Sequence, residues 1–135
     1  MRRVRSAADD PGEEERVDTV DSLLEGRDGS VRAVYTRVVE AARGAGPVFE
    51  DAKKTCVHLA PAGDASAFAG VHPRKTGILL NLRTSTPISS PRVRKTEQLS
   101  RHRFFNEILV ESPDQVDAEL TGWLREAYGL SAVKA

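Results

Sequence analysis

With 135 residues, 39% of them hydrophobic, and 20 basic against 20 acidic side chains, the chain has material for one ordinary core and not for two domains of usual size. A single cysteine, Cys56, excludes an internal disulfide framework and a cysteine-based structural zinc site, and no stretch approaches the ~18 apolar residues of a membrane-spanning helix. Overall neutrality conceals a partition: Lys53–Arg103 holds ten basic and two acidic residues, against 8 basic and 12 acidic in 1–52 and 2 basic and 6 acidic in 104–135.

The opening Met-Arg-Arg-Val-Arg-Ser-Ala-Ala-Asp-Asp has a basic flank with no apolar stretch behind it. Neither a secretory nor a twin-arginine signal is expected, and the expected compartment is the reducing cytoplasm. Residues 1–16, with Asp9-Asp10-Pro11-Gly12-Glu13-Glu14-Glu15, offer charge and breakers and nothing to bury. They are expected to form a disordered tail, with a single domain over 17–135. Val17, Val20, Leu23 and Leu24 make a short amphipathic turn closed by Gly26. A stronger helix is expected from about Val31 to Arg43, where Val31, Val34, Tyr35, Val38 and Ala42 share one face, Asp28 or Ser30 caps the start and Gly44 suits the end.

The period then changes from 3.6 to 2. Thr55, Val57 and Leu59 alternate with Cys56 and His58; Phe68, Gly70 and His72 with Ala69 and Val71; Ile78, Leu80 and Leu82 with Leu79, Asn81 and Arg83. These are three strands, antiparallel because the connections at about Pro61–Asp64 and Pro73–Thr76 are too short for a parallel crossover. A short strand is expected before them at Pro47–Glu50. Thr84–Pro91 reads as a loop, Arg92-Val93-Arg94-Lys95 as a short exposed edge element, and Arg103–Glu111 as the last strand, with Phe104, Asn106, Ile108 and Val110 on one face.

Ser112-Pro113-Asp114-Gln115 supplies a capping hydroxyl, a proline at the first helical position and a Gln three residues after the cap, so the final helix is expected to start there. Val116, Leu120, Trp123, Leu124 and Ala127 form its apolar stripe, Trp123 is expected to anchor the core, and Gly129 can end it. The expected fold is α+β: a single two-layer domain with an antiparallel sheet of about five strands flanked by N- and C-terminal helices.

Phe68-Ala69-Gly70-Val71-His72-Pro73-Arg74-Lys75-Thr76-Gly77-Ile78-Leu79-Leu80-Asn81-Leu82-Arg83, then Ser100-Arg101-His102-Arg103-Phe104, and then Ser112 through Tyr128 with its Val-Asp-x-Glu-Leu-x-x-Trp-Leu-x-x-Ala-Tyr pattern, resemble the bacterial domain of unknown function 5655. The resemblance covers nearly everything after the tail. It implies a small stand-alone or appended domain without an established activity. A histidine expected after Arg103-Phe104 is replaced by Phe105-Asn106-Glu107. The order of elements is also similar to that of frataxin-like iron chaperones and small double-wing DNA-binding proteins, an analogy of layout that does not carry function.

For chemistry, Asp51-Ala52-Lys53 matches half of a metal-dependent nuclease motif but lacks an upstream Pro-Asp partner. Cys56, His58 and His72 can meet across adjacent strands as a thiol–imidazole pair, but a small buried cysteine and lone strand histidines explain them better. Asp114, Asp117, Glu119 and Glu126 offer hard oxygen ligands for a frataxin-like metal role, or electrostatics at a helix start. No cofactor is expected. The reading that uses the charge partition best is a non-enzymatic binding module whose basic face, Arg74, Lys75, Arg92, Arg94, Lys95, Arg101 and Arg103, holds a nucleic acid or phosphorylated ligand. The competing class is a small enzyme or metal-handling protein with a pocket near His58, His72 and Asn106, since a polar Asn106 on an apolar strand face must find a partner or line a cavity.

Overall fold

Thr19 caps the first turn, α1 (Val20–Leu24), through a reciprocal capping box with Ser22. The computed structural model describes residues 19–132, so the tail expected at 1–16 lies outside the described residues. Helix α2 (Gly29–Arg43) is capped by Asp28, whose carboxylate accepts the Ser30 N–H, and it buries Val31, Val34, Tyr35, Val38, Val39, Ala41 and Ala42. The strands are β1 (Phe49–Ala52), β2 (Val57–Ala60), β3 (Ala69–Pro73), β4 (Ile78–Thr84), β5 (Val93–Ser100) and β6 (Arg103–Val110). They form one sheet in the order β1-β2-β3-β4-β6-β5, every neighbouring pair antiparallel. A 3-10 turn, Pro113–Gln115, leads into α3 (Ala118–Ala132).

The fold is the α+β arrangement expected, with six strands where about five were expected. The additional length is in β5, which continues from the Arg92–Lys95 segment to Ser100 and is exposed along nearly its whole length. At the sheet edge, with little of it buried on either side, this strand has no need of the alternation that announces its neighbours. The start signal at Ser112 also acts more locally than expected. Its capping box with Gln115 closes only the 3-10 turn, Val116 leaves helical geometry at ψ 69°, and Asp117 begins α3 by accepting the Leu120 N–H at 3.0 Å. Gly129 does not end this helix, which runs on to Ala132.

Register places Val57, Leu59, Ala69, Val71, Ile78, Leu80, Leu82, Ile108 and Val110 on one face, and all of them are buried in the core with α2 and α3. At about 25 cal/mol per Å² of apolar surface, this shared face is the main source of stability. Phe68 and Tyr128 pack at 5.2 Å between ring centroids, and the Tyr128 hydroxyl donates to the Pro47 carbonyl at 2.7 Å. Gly46, at φ 155°, passes so close to that hydroxyl that a Cβ would collide with it. Trp123, expected in the core, is only partly buried at its margin, whereas Phe68 and Tyr128 are buried within it.

Antiparallel pairing also fixes which connections share an end of the sheet. The turns after β1 (53–56) and after β3 (74–77), together with the start of β5, lie at one end, here the upper end. The β2–β3 connection, the end of β4 and the β5–β6 turn lie at the lower end. β4 and β5 flank β6 and run parallel, so residues 85–92 must travel the length of the sheet from lower to upper end.

Candidate anion-binding surfaces

Asn106 secures that long connection. Its Nδ2 donates to the Leu82 carbonyl at 3.1 Å and to Thr84 Oγ1 at 2.9 Å, and its Oδ1 accepts the Ile88 N–H at 3.0 Å. The side chain is fully buried on the helix-facing side, whereas His58 and His72 lie on the opposite face, in register with Gly70 and Leu79. The expected pocket joining His58, His72 and Asn106 is therefore not formed: strand alternation puts the asparagine on the other side of the sheet. Burial above all, with Lys53 next for His58 and Arg74 next for His72, holds both imidazoles below their ordinary value. Burial also pushes the Cys56 thiol up, opposite to what a thiolate nucleophile requires.

Arg92 was expected among the free cations and is instead structural. Its Nη1 reaches Asp117 at 3.0 Å and Glu119 at 3.1 Å, its Nη2 donates to the Gln115 carbonyl at 2.7 Å, and its guanidinium carbon lies 5.7 Å from the Trp123 ring centroid. The end of the 85–92 connection is thus fastened to the start of α3. Burial opposes the charge on Arg92, yet the hydrogen bonds it donates to the Asp117 and Glu119 carboxylates raise its pKa overall. Asp117 and Glu119, considered above as metal ligands, are committed to this clamp, and Asp117 also to the helix cap. Among the described residues no cluster of His, Cys, Asp or Glu has the geometry to hold a metal ion.

The remaining expected cations divide between the two ends. Arg74 and Lys75 occupy the β3–β4 turn and Arg94 and Lys95 the first residues of β5, all at the upper end and all exposed. Lys53 and Lys54 join them from the β1–β2 turn. Lys53 is held by Asp51 at 2.9 Å; Lys54, Arg74, Lys75, Arg94 and Lys95 make no salt bridge among the described residues. The lysine pair was legible only to a reader who followed strand direction, because two hairpin turns separated by about one up-and-down excursion of the chain return to the same end.

Arg101 and Arg103 sit at the lower end, in and beside the β5–β6 turn. There Arg103 shares with Arg83 a cleft of about 260 Å³ whose walls include Ser66, Ser100, Leu130 and Ser131. Arg83 is partly buried, and its Nε is wholly enclosed with no hydrogen-bond partner. The sequence placed Arg83 at the end of an apolar strand and offered no sign that it lacks a partner. A second, smaller cleft of about 150 Å³ lies on the face away from the helices, bounded by His72, Arg74, Leu79, Asn81, Phe105 and Glu107.

Among the described residues no helix is long and apolar enough to cross a membrane. No curated protein and no solved structure matches the chain. Residues 20–131 do match the profile of the family described as Domain of unknown function (DUF5655), and on that match over most of its length the chain belongs to this family.

Proposed function

We propose that the protein is a non-enzymatic binding module that engages a polyanionic partner, a nucleic acid, through the upper end of its sheet. The observation that carries this reading is convergence: Lys54, Arg74, Lys75, Arg94 and Lys95 come from three separate segments to one end, exposed and without carboxylate partners among the described residues. Such a group raises the local potential and exchanges its counterions for phosphates. No base-reading motif accompanies it, so recognition is of backbone charge. A cytoplasmic setting suits a lone thiol. Arg92 drops out of the expected set because its charge is already used, and Arg101 and Arg103 belong to the other end.

The test is fluorescence anisotropy with labelled single- and double-stranded oligonucleotides. With about four phosphates neutralised, affinity should fall on the order of 100-fold between ~50 and ~200 mM salt. Reversal of Lys54, Arg74 and Lys75 to Glu should weaken binding at least tenfold, by about 1.4 kcal/mol or more, with the melting curve unchanged. Arg101→Glu with Arg103→Glu should leave most of it. Equal losses from the two variants would reduce the effect to net charge, and absence of salt-sensitive binding by the wild type would redirect the reading to an acidic protein surface.

A further inference from the structure

Arg83 is the anomaly among the described residues. Its Nε is the one buried side-chain nitrogen or oxygen there without a hydrogen bond, and its guanidinium forms no salt bridge among them. A partly buried cation left unpaired loses hydration without recovering the Coulomb energy of a partner; the enclosed Nε is out of an anion's reach, and it is the terminal Nη groups, which are neither paired nor fully buried, that can receive one. The surroundings point the same way. Arg83 and Arg103 both line the cleft, which contains no carboxylate side chain among its lining residues; Ser66 and Ser100 line it as well. Arg103 spends one N–H on the His102 carbonyl at 2.9 Å and keeps its other donors.

We propose that this lower-end cleft binds a small phosphate monoester. Two cations and no acid match a dianion, whereas a monocarboxylate would leave one guanidinium unneutralised. Planar guanidinium donors suit a tetrahedral oxyanion with several acceptor oxygens. Leu99, an exposed large hydrophobic residue, together with Ala67, Ala127 and Leu130 forms the apolar part of the wall, and it receives the organic group of the ester. At about 260 Å³ the cleft falls just below the ~300–1,000 Å³ of drug-sized sites, the scale of a small metabolite. This site is independent of the upper end, and its occupant is distinguished from a polyanion by size and by its use of the apolar wall.

The experiment follows the arginine Nε–H signals by ¹H–¹⁵N NMR while the ¹⁵N-labelled full chain is titrated with n-butyl phosphate, n-butyl sulfate and inorganic phosphate at constant ionic strength. Saturable movement of the Arg83 Nε–H signal at millimolar n-butyl phosphate is expected, with affinity about tenfold tighter than for inorganic phosphate because the alkyl group is buried, and weaker binding of the monoanionic sulfate. Arg103→Gln, at an exposed position, should weaken n-butyl phosphate at least fivefold, and Arg83→Gln should abolish saturation. The upper-end triple reversal should leave the titration unchanged. An Arg83 signal that moves no more with n-butyl phosphate than with chloride overturns the proposal, as does an Arg103→Gln variant with wild-type affinity; both readings stand even if Arg83→Gln fails to fold.

Discussion

At the upper end of the sheet Lys54, Arg74, Lys75, Arg94 and Lys95 stand on turns and an edge strand, exposed to water; at the lower end Arg83 is partly enclosed, with Arg103 and serines lining the same cleft. Like charges therefore do different physical work. Exposed cations create a field that salt screens within about 8–10 Å, giving rate and avidity for an extended anion and little geometric selection. An enclosed guanidinium has already lost part of its hydration, so it rewards an anion of the right size and penalises the empty site. Arg92 represents a third use, a cation satisfied internally by Asp117, Glu119 and the Gln115 carbonyl. Sorting lysines and arginines by what already surrounds them separates these roles where counting them does not.

The largest expected effect falls on the connection that joins the two ends. Asn106→Ala removes the partners of the Leu82 carbonyl, Thr84 Oγ1 and the Ile88 N–H in a buried site, and should cost about 2–4 kcal/mol in denaturant unfolding. A loss below about 1 kcal/mol would mean that residues 85–92 are held by something other than this asparagine. Next in size, Arg92→Ala should cost about 1 kcal/mol, discounted because its carboxylate partners are half exposed, while leaving oligonucleotide binding at the wild-type level. If binding falls with it, Arg92 belongs with the free cations after all.

The contrast between the ends is sharpened by two methionine variants. Arg83→Met should stabilise the protein by up to about 1 kcal/mol in phosphate-free buffer, because it removes a poorly solvated, unpaired charge. Lys75→Met, fully in water, should fall within about 0.5 kcal/mol of wild type. Destabilisation by Arg83→Met would show that the arginine is satisfied in solution. The smallest effect concerns pH. His58 and His72 are both held below the ordinary value of 6.5 in the folded state, so between their folded and unfolded values the unfolded chain binds more protons. Their contribution to stability is complete above about pH 6.5 and declines as pH falls below it. Melting temperature should drop modestly from pH 7 toward pH 5, and His58→Gln with His72→Gln should flatten that slope.

Local pattern was enough for the class of fold. The 3.6-residue recurrence from Val31 to Ala42 and the alternation through Val57, Val71 and Ile78–Leu82 follow from the need to bury one face, which is written directly into residue order. The charge partition around Lys53–Arg103 was equally open to reading. Edge strand β5 was only half visible, because little of it packs against the core and nothing forces a period on it. What no local pattern contains is partnership across distance. Asn106 and His72 are both polar strand residues, yet pairing register sends them to opposite faces; Arg92 and Arg94 are two residues apart, yet only the first meets α3. The isolation of Arg83 likewise depends on what α3, the 61–68 connection and the β5–β6 hairpin bring beside it. Sequence determines which residues seek burial and which carry charge, but whether a charge is paired, free or stranded is set by neighbours that only the closed tertiary structure supplies.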